Sequence, residues 1–197
     1  MRPLVLASAS PARLRLLHAA GFAPLVLVSG VDESGVSADT IGELVVSLAR
    51  AKATAVAALP GARGAVVIGC DSLLDVDGRA HGKPDSVDEA RSRLQRLRGT
   101  RAVLHTGHCV IDTIDGRVVS DIASTEVCFG TFSDTELDAY LATPEPMEVA
   151  GAFTLDGRSA PFIDGIIGDH SNVIGLSLPL FRALLARLDL SVMDFWV

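Results

Sequence analysis

Asp71 is the strongest candidate in this sequence for a residue that takes part in chemistry. It directly follows the apolar run AVVIGC, which is typical of a buried strand and places Asp71 towards the end of that strand. Carboxylates at strand ends in α/β proteins often point into a ligand crevice, although aspartates are equally common as turn or capping residues. We therefore take Asp71 as a candidate ligand-facing acid. Cys70, its neighbour, is expected to face the other side of the strand, in the core.

Two further acids lie in the loop VDES that follows the second predicted strand. On their own, Asp32 and Glu33 are typical of a solvated loop. If this loop approaches Asp71, the carboxylates together form a hard oxygen site, which suits Mg²⁺ or Mn²⁺ bridged to substrate phosphates. A metal site here is thus conditional on that approach.

Three basic residues are spaced along the chain near these acids. Arg13 lies in the first predicted helix, Lys52 in a long helix and Lys83 in the turn HGKP. Each of them, taken singly, is typical of a surface charge. If they converge on the carboxylates, they offset the charge of a triphosphate in an otherwise acidic protein.

The opening segment LASASPARLRLL predicts a strand that passes into a helix through small residues. Ser10 is a suitable N-cap and Pro11 fits the first helical position. The free N–H groups at such a helix start favour an anion, usually phosphate. An ordinary capped helix has the same local features, so this segment alone leaves both interpretations open.

Composition excludes several classes of protein. The 197 residues carry a formal net charge of −7, which argues against a general nucleic-acid binder. The apolar start, broken at Ser8, is too short for a signal-peptide core or a membrane span. The three cysteines form no C-x-x-C pair, so neither a disulfide framework nor a zinc site is indicated. We expect a cytoplasmic protein that binds neither nucleic acid nor membrane.

The elements that must position these residues are helices and strands in a mixed order. The hairpin signal Asp115-Gly116 joins two long predicted strands, which makes a fully parallel sheet less favourable. We predict one α/β domain, residues 1–197, with a mixed twisted sheet, flanking helices and two lobes around a cleft. The predicted strands are 3–7, 24–28, 65–74, 102–113 and 117–129, and the predicted helices are 11–20, 39–59, 86–98, 133–142 and 179–188.

Seven segments, in order and at fitting spacing, resemble the Maf family of nucleoside triphosphate pyrophosphatases, also called septum formation proteins. They are LASASPAR (6–13), VDE (31–33), LARAKA (48–53), GCDS (69–72), GKP (82–84), VAGAFTLDG (149–157) and NVIGLSLPL (172–180). The resemblance implies a deep cleft in a fold similar to inosine triphosphate pyrophosphatases. It also implies cleavage between the α- and β-phosphates, a divalent cation (Mg²⁺ or Mn²⁺) and often a homodimer.

The same resemblance implies roles for individual residues. Asp71 matches the proton acceptor, and Glu33 with Asp71 would help to hold the metal. The residues expected at the substrate phosphates are Ser8, Ser10, Arg13, Lys52 and Lys83.

The base of the substrate is less well defined by the resemblance. Two branches of the family, one preferring dTTP and UTP and the other 7-methyl-GTP, differ at the positions of Ala12, Ser72 and Asp156. Arg, Thr and Gln stand there in the first branch, and Trp, Gln and Glu in the second. Ser72 is closer to the first branch, Asp156 to the second and Ala12 to neither, so we expect loose base selection.

Two rival functions remain. Maf proteins are also linked to cell-division arrest, so the main role could be non-enzymatic regulation of septum formation through a cell-division protein. The other rival is a different phosphohydrolase, such as a monophosphatase, which would release no pyrophosphate.

Overall fold

The computed structural model describes residues 2–197, and within this range seven strands form one sheet. The sheet order is β2-β1-β3-β5-β6-β7, with the short β4 paired to β3. The first strand is parallel to the second and third, and all other pairs are antiparallel, so the predicted mixed sheet is confirmed. The strands are β1 (Leu4–Leu6), β2 (Leu25–Val26), β3 (Val66–Val76), β4 (Arg79–His81), β5 (Arg101–Asp112), β6 (Val118–Phe129) and β7 (Ile163–Ile167).

Helices flank both faces of this sheet, as predicted. None of those within residues 2–197 is both long and apolar enough to cross a membrane. They are α1 (Pro11–Ala19), α2 (Ile41–Ala57), α3 (Val87–Leu97), α4 (Asp134–Leu141), α5 (Glu145–Glu148), α6 (His170–Ile174) and α7 (Leu178–Ala186).

Three hydrophobic clusters join the helices to the sheet. The first packs α1 and α7 on one face of β1 and β3, and the second packs α2 on the opposite face. The third packs α3 and α4 against the distal part of β3, β5 and β6. Cys70 belongs to the first cluster, whereas Asp71 faces α2, so their predicted opposite orientation is confirmed. The alternation follows from the two-residue period of a strand.

The position of Asp71 within its strand differs from the prediction. Asp71 lies in the middle of β3, not at its end, because β5 pairs with β3 as far as Asp75. The parallel neighbour β1 does end early, at Leu6, whose partner in β3 is Ile68. Asp71 therefore lies beyond the carboxyl end of β1, where α/β sheets commonly form ligand crevices.

For the helices and strands that the sequence predicted, most boundaries agree with the structure to within two residues. The predicted hairpin is present as β5 and β6, with Gly116 at a positive φ of 76° in the connection. The second strand is shorter than predicted, since only Leu25 and Val26 pair with β1, and their side chains are exposed.

Two helix starts, Ser86 to Glu89 and Ser133 to Glu136, have the sequence pattern of a capping box, and the second of these boxes is complete. Ser133 and Glu136 satisfy each other's backbone N–H groups at the start of α4. At the start of α3, Ser86 accepts a hydrogen bond from Glu89 N–H, but the Glu89 carboxylate does not return to Ser86. It accepts the N–H of Asp85 instead. The start of α3 therefore has only half of a capping box.

Two glycines let α2 lie very close to the sheet. A Cβ at Gly69 would lie 2.5 Å from the Ala49 carbonyl oxygen, and one at Gly107 would overlap the backbone of Val45. Gly107 is the direct partner of Asp71 across the β3–β5 ladder. Close packing of α2 on these strands thus depends on the missing side chains, and it brings the middle of α2 over Asp71.

We expect Gly107→Ala to destabilise the fold. The added methyl group cannot fit without moving α2, and overpacking of this kind costs about 2 kcal/mol or more. Gly165→Ala in β7 is the matched control, because nothing lies within 4 Å of a Cβ at that position. Urea unfolding of both variants measures the difference. Equal free energies of unfolding would show that α2 does not depend on Gly107.

Candidate active site

A cleft of about 660 Å³ opens beside the start of α1, the middle of α2 and the central part of β3. An adjoining cavity of about 280 Å³ shares the wall formed by Ala12 and Arg15. Nine of the ten residues named from the sequence line the cleft, and Asp156 lines the adjoining cavity. The nine are Ser8, Ser10, Ala12, Arg13, Glu33, Lys52, Asp71, Ser72 and Lys83.

The ammonium group of Lys52 lies between two carboxylates. Lys52 Nζ is 2.5 Å from Asp71 Oδ1 and 2.8 Å from Glu33 Oε1. The loop that carries Glu33 therefore does approach Asp71, which was the condition for a metal site. Asp32 does not take part, since its carboxylate accepts the N–H and hydroxyl of Ser34 at the surface.

Asp71 is buried, with 8 % of its surface exposed. Burial raises the pKa of the Asp71 carboxyl above its usual value, while the positive charges of Lys52 and Arg13 oppose that rise. A desolvated carboxylate binds a proton more readily than an exposed one. The environment of Asp71 therefore suits a proton acceptor better than an ordinary surface aspartate would.

Arg13 is also buried, and its guanidinium group donates to four neutral acceptors. It joins α1 to β3 and to the turn after α6, so it forms part of the cleft wall. Four of its five N–H groups are used in this way, which leaves one for a ligand. The acceptors are Gly175 O at 2.7 Å, Cys70 O at 2.9 Å, Ser72 Oγ at 3.0 Å and Ser8 Oγ at 3.1 Å.

The two serines of the opening segment stabilise the start of α1. Ser10 is the N-cap, as predicted, and its hydroxyl accepts the Arg13 N–H at 3.4 Å. The Ser8 hydroxyl accepts the Ser10 N–H at 3.2 Å. These bonds hold the loop at the rim of the cleft, where its remaining polar groups can face a ligand.

Basic residues are distributed unevenly over this chain. Lys52 and Lys83 are the only lysines among its 17 basic residues, and both line the cleft. Within residues 2–197, Lys83 has no carboxylate partner, whereas Lys52 has two. The sequence contains lysine at only two positions, and this feature could have indicated both cleft residues without any motif.

Comparison with known proteins agrees with this arrangement. A family described as "Maf-like protein" matches residues 3–188. The chain belongs to the Maf family. A Streptomyces coelicolor protein named nucleoside triphosphate pyrophosphatase is 62% identical over 195 residues, which cover 99% of this chain and 95% of the relative. A Streptomyces avermitilis protein of the same name is 57% identical with the same coverage.

Among solved structures, a nucleoside-triphosphatase described as dITP/XTP pyrophosphatase from Mycobacterium abscessus aligns with 64% of this chain and 72% of its own. The TM-score is 0.39 and the identity 15%, values too low to support a conclusion.

The three positions expected to select the base are spread over the cleft and the adjoining cavity. Ala12 and Asp156 line the adjoining cavity, where the Asp156 carboxylate pairs with Arg15 at 3.2 Å. Ser72 lies deeper, between Arg13 and the Thr106 hydroxyl, 2.9 Å away. Asp156 is therefore already paired with a cation. No local pattern indicates this contact, because Arg15 is 141 positions away.

A buried histidine, to which the sequence analysis assigned no role, joins β5 to the start of α7 beside the cleft. His108 Nε2 accepts the N–H of Ser177, the N-cap of α7, at 2.8 Å. Its Nδ1 lies 3.0 Å from the Thr106 carbonyl oxygen and must therefore donate. These two bonds require the neutral imidazole. Burial lowers the pKa of His108 to about 4, and the nearby charge of Arg13 acts in the same direction.

We expect His108 to make the stability of the protein pH-dependent in acid. Between pH 6.5 and about 4 the unfolded chain binds a proton at this position and the folded chain does not. The free energy of unfolding therefore falls as the pH falls through this window, by about 3 kcal/mol in total once the pH is below about 4. Urea unfolding across the window should show a smaller loss for His108→Gln. His18→Gln, an exposed control on α1, should behave as wild type. Parallel curves for His108→Gln and wild type would contradict the prediction.

Proposed function

We propose that this chain hydrolyses nucleoside triphosphates to nucleoside monophosphates and pyrophosphate. The observation that carries the proposal is the convergence of Glu33, Lys52, Asp71 and Lys83, from separate segments of an acidic chain, in one cleft. The name of the Streptomyces relatives, at 57% and 62% identity over nearly the whole chain, supports it.

The charges of the cleft favour a polyphosphate. Arg13 bonds only to neutral oxygens and Lys83 has no ion pair among residues 2–197, so neither cation is neutralised by a carboxylate. A triphosphate would supply the missing negative charge. Fixed cations at the site where charge develops also stabilise the transition state of phosphoryl chemistry. In a protein of net charge −7, such a cluster is best explained by an anionic substrate.

Asp71 is the proposed proton acceptor for the attacking water. Its burial favours the protonated form that results. Lys52 contacts Asp71 Oδ1 at 2.5 Å, so Oδ2 remains to face the water, either directly or through the metal ion proposed below. Lys83 and the free N–H of Arg13 would hold the phosphates, and the loop of Ser8 and Ser10 would bound them at the start of α1.

We further propose that Glu33 and Asp71 hold a divalent cation, Mg²⁺ or Mn²⁺. Both carboxylates already converge on one positive group, Lys52 Nζ, so their geometry suits a shared cation. Within residues 2–197 no three His, Cys, Asp or Glu side chains cluster as a metal site. Mg²⁺ is commonly bound by one or two carboxylates, with substrate phosphates as further ligands, which fits this pair. Such an ion would neutralise phosphate charge during the reaction.

The adjoining cavity is the proposed place of the base. Ala12 leaves its wall open, while Asp156 offers hydrogen-bond acceptors and Arg15 donors. This mixture favours loose selection among bases over a single partner, in line with the expectation from the sequence.

The non-enzymatic alternative is less favoured by the cleft. A surface that only binds a division protein does not need a buried Asp71 in contact with Lys52, because burying charged groups is unfavourable without a further role. A homodimer, a cytoplasmic location and a cell-division partner stay predictions from the resemblance.

We expect Asp71→Asn to lower pyrophosphate release at least about a hundredfold, because the amide cannot accept the proton of the water. The assay follows pyrophosphate and inorganic phosphate separately, with dTTP, UTP, CTP and 7-methyl-GTP as substrates. Asp121→Asn on β6, a surface residue outside the cleft, should remain active. Turnover by Asp71→Asn near that of Asp121→Asn would rule out the assignment. Release of phosphate in place of pyrophosphate would favour a different phosphohydrolase, one that removes the terminal phosphate of the triphosphate.

For the metal, we expect Glu33→Gln to raise the Mg²⁺ concentration at half-maximal activity roughly tenfold, since one charged ligand is lost. Asp32→Asn is the matched control, because Asp32 lies in the same loop and contacts only Ser34. Both variants are titrated with Mg²⁺ after treatment with a chelator. The same Mg²⁺ requirement in the two variants, or full activity without a divalent ion, would contradict the proposed site.

A further inference from the structure

Lys83 lies in the short segment 82–85, between the end of β4 and Ser86, the N-cap of α3. Both ends of this segment are held by side chains of α3. The Gly82 carbonyl oxygen accepts a hydrogen bond from Arg93 Nη1 at 2.6 Å. The Asp85 N–H donates to Glu89 Oε2 at 2.7 Å. The backbone on either side of Lys83 is therefore fixed to one helix.

Arg93 and Glu89 are also paired with each other. They are four residues apart on α3, and Arg93 Nη2 donates to Glu89 Oε1. Arg93 is 6% exposed, so its charge is almost fully withdrawn from water. A buried guanidinium group is tolerated only when it is well paired and hydrogen-bonded. Here its partners are Glu89 and the carbonyl beside Lys83.

The same carbonyl connects Lys83 to a second wall of the cleft. Gly82 O also accepts the N–H of Gly151, at 3.0 Å. Gly151 belongs to the segment VAGAF, of which Val149, Ala150 and Phe153 line the cleft. Arg93 thus acts at a point where two cleft-lining segments meet, although neither Arg93 nor Glu89 lines the cleft itself.

Glu89 shows that this arrangement is not an ordinary helix start. At the third position of α3, a glutamate would complete a capping box by accepting the N–H of Ser86. Glu89 accepts the N–H of Asp85 instead, one residue closer to Lys83. The side chain therefore fixes the preceding segment and not only the helix terminus.

We propose that the Glu89–Arg93 pair is a positioning device for Lys83, which holds the Lys83 ammonium group at the polyphosphate site of the cleft. Lys83 has no ion pair of its own within the described residues, so the rigidity of its backbone decides where its charge lies. The inference rests on the proposed function in so far as Lys83 binds substrate phosphates. Arg93 and Glu89 act only through Lys83 and do not touch the substrate.

The kinetic test is a double-mutant cycle. Arg93→Met keeps an unbranched apolar stem for the buried position and removes both hydrogen bonds of the guanidinium group. We expect it to raise the KM for a nucleoside triphosphate about tenfold with kcat changed less than about twofold, since ground-state phosphate binding is weakened. In a Lys83→Gln background, Arg93→Met should have no further effect on KM. Additive effects of the two substitutions would overturn the proposal.

Arg91→Met is the control on the same helix, because Arg91 pairs with Asp138 of α4 and not with the segment of Lys83. It should leave KM at the wild-type value. Arg93→Lys retains a donor for Gly82 O and should recover part of the lost affinity. Glu89→Gln retains an acceptor for Asp85 N–H but loses the charge that faces Arg93, so it should raise KM in the same direction even if Arg93→Met folds poorly. No change in KM for Glu89→Gln and for Arg93→Met would overturn the proposal.

A second readout does not require turnover, so it separates this inference from the proposed function. Because the chain has only two lysines, reductive methylation followed by peptide mass mapping reports on each of them independently. Inorganic tripolyphosphate should protect Lys83 in wild type, and in Arg93→Met the protecting concentration should rise about tenfold. The rate at which Lys52 is methylated without tripolyphosphate should be the same in wild type and Arg93→Met, because the ion pairs of Lys52 do not involve α3. An unchanged protecting concentration at Lys83, or an altered methylation rate of Lys52 without tripolyphosphate, would overturn the positioning role. Protection that follows the expected pattern in a chain releasing no pyrophosphate would refute only the proposed function.

Discussion

The contact between Lys52 and Asp71 depends on how closely a helix can lie on a sheet. A lysine side chain reaches its partner only if the axis of α2 is near the strands, and Gly69 and Gly107 remove the side chains that would separate them. The ammonium group then lies 2.5 Å from a carboxylate that is almost fully buried. Burial of such a pair is favourable only with close geometry, because both groups lose their hydration. The backbone constraint therefore comes first, and the charges of the cleft follow from it.

The sheet provides the second constraint, since it changes from parallel to antiparallel pairing at β3. On the parallel side β1 stops at Leu6, while on the antiparallel side β5 continues along β3 as far as Asp75. The strand thus extends past its shorter neighbour and exposes the edge on which Asp71 and Ser72 lie. Arg13 closes this gap from α1 through its bonds to the backbone of β3 and to Ser72. An acid facing α2 and a cation on the α1 side consequently share one cleft.

The sequence predicted what depends on neighbouring residues and failed where distant segments meet. Ser10 was recognised as an N-cap because the cap, the proline and the apolar positions are adjacent in the chain. Asp71 was placed at a strand end because the pairing that prolongs β3 involves β5, more than thirty residues later. Arg13 lines the cleft, but its acceptor Gly175 is 162 positions away and no local pattern indicates this contact. The site residues could be named from motifs, whereas the contacts of Glu89 could not, since its ordinary capping role predicts another partner.

The choice between lysine and arginine follows the geometry required at each position. Two of the 17 basic residues are lysine, so this chain uses arginine for nearly every surface and structural cation. An ammonium group is a compact point charge, whereas a guanidinium group is a planar fork that needs several acceptors in its plane. Lys52 must fit between Glu33 and Asp71, where one small cation can contact both oxygens at 2.5–2.8 Å. Arg13, by contrast, meets four acceptors in different segments, for which the fork is suited. Exchange of the two residue types would therefore preserve the net charge of the cleft and still disrupt its geometry.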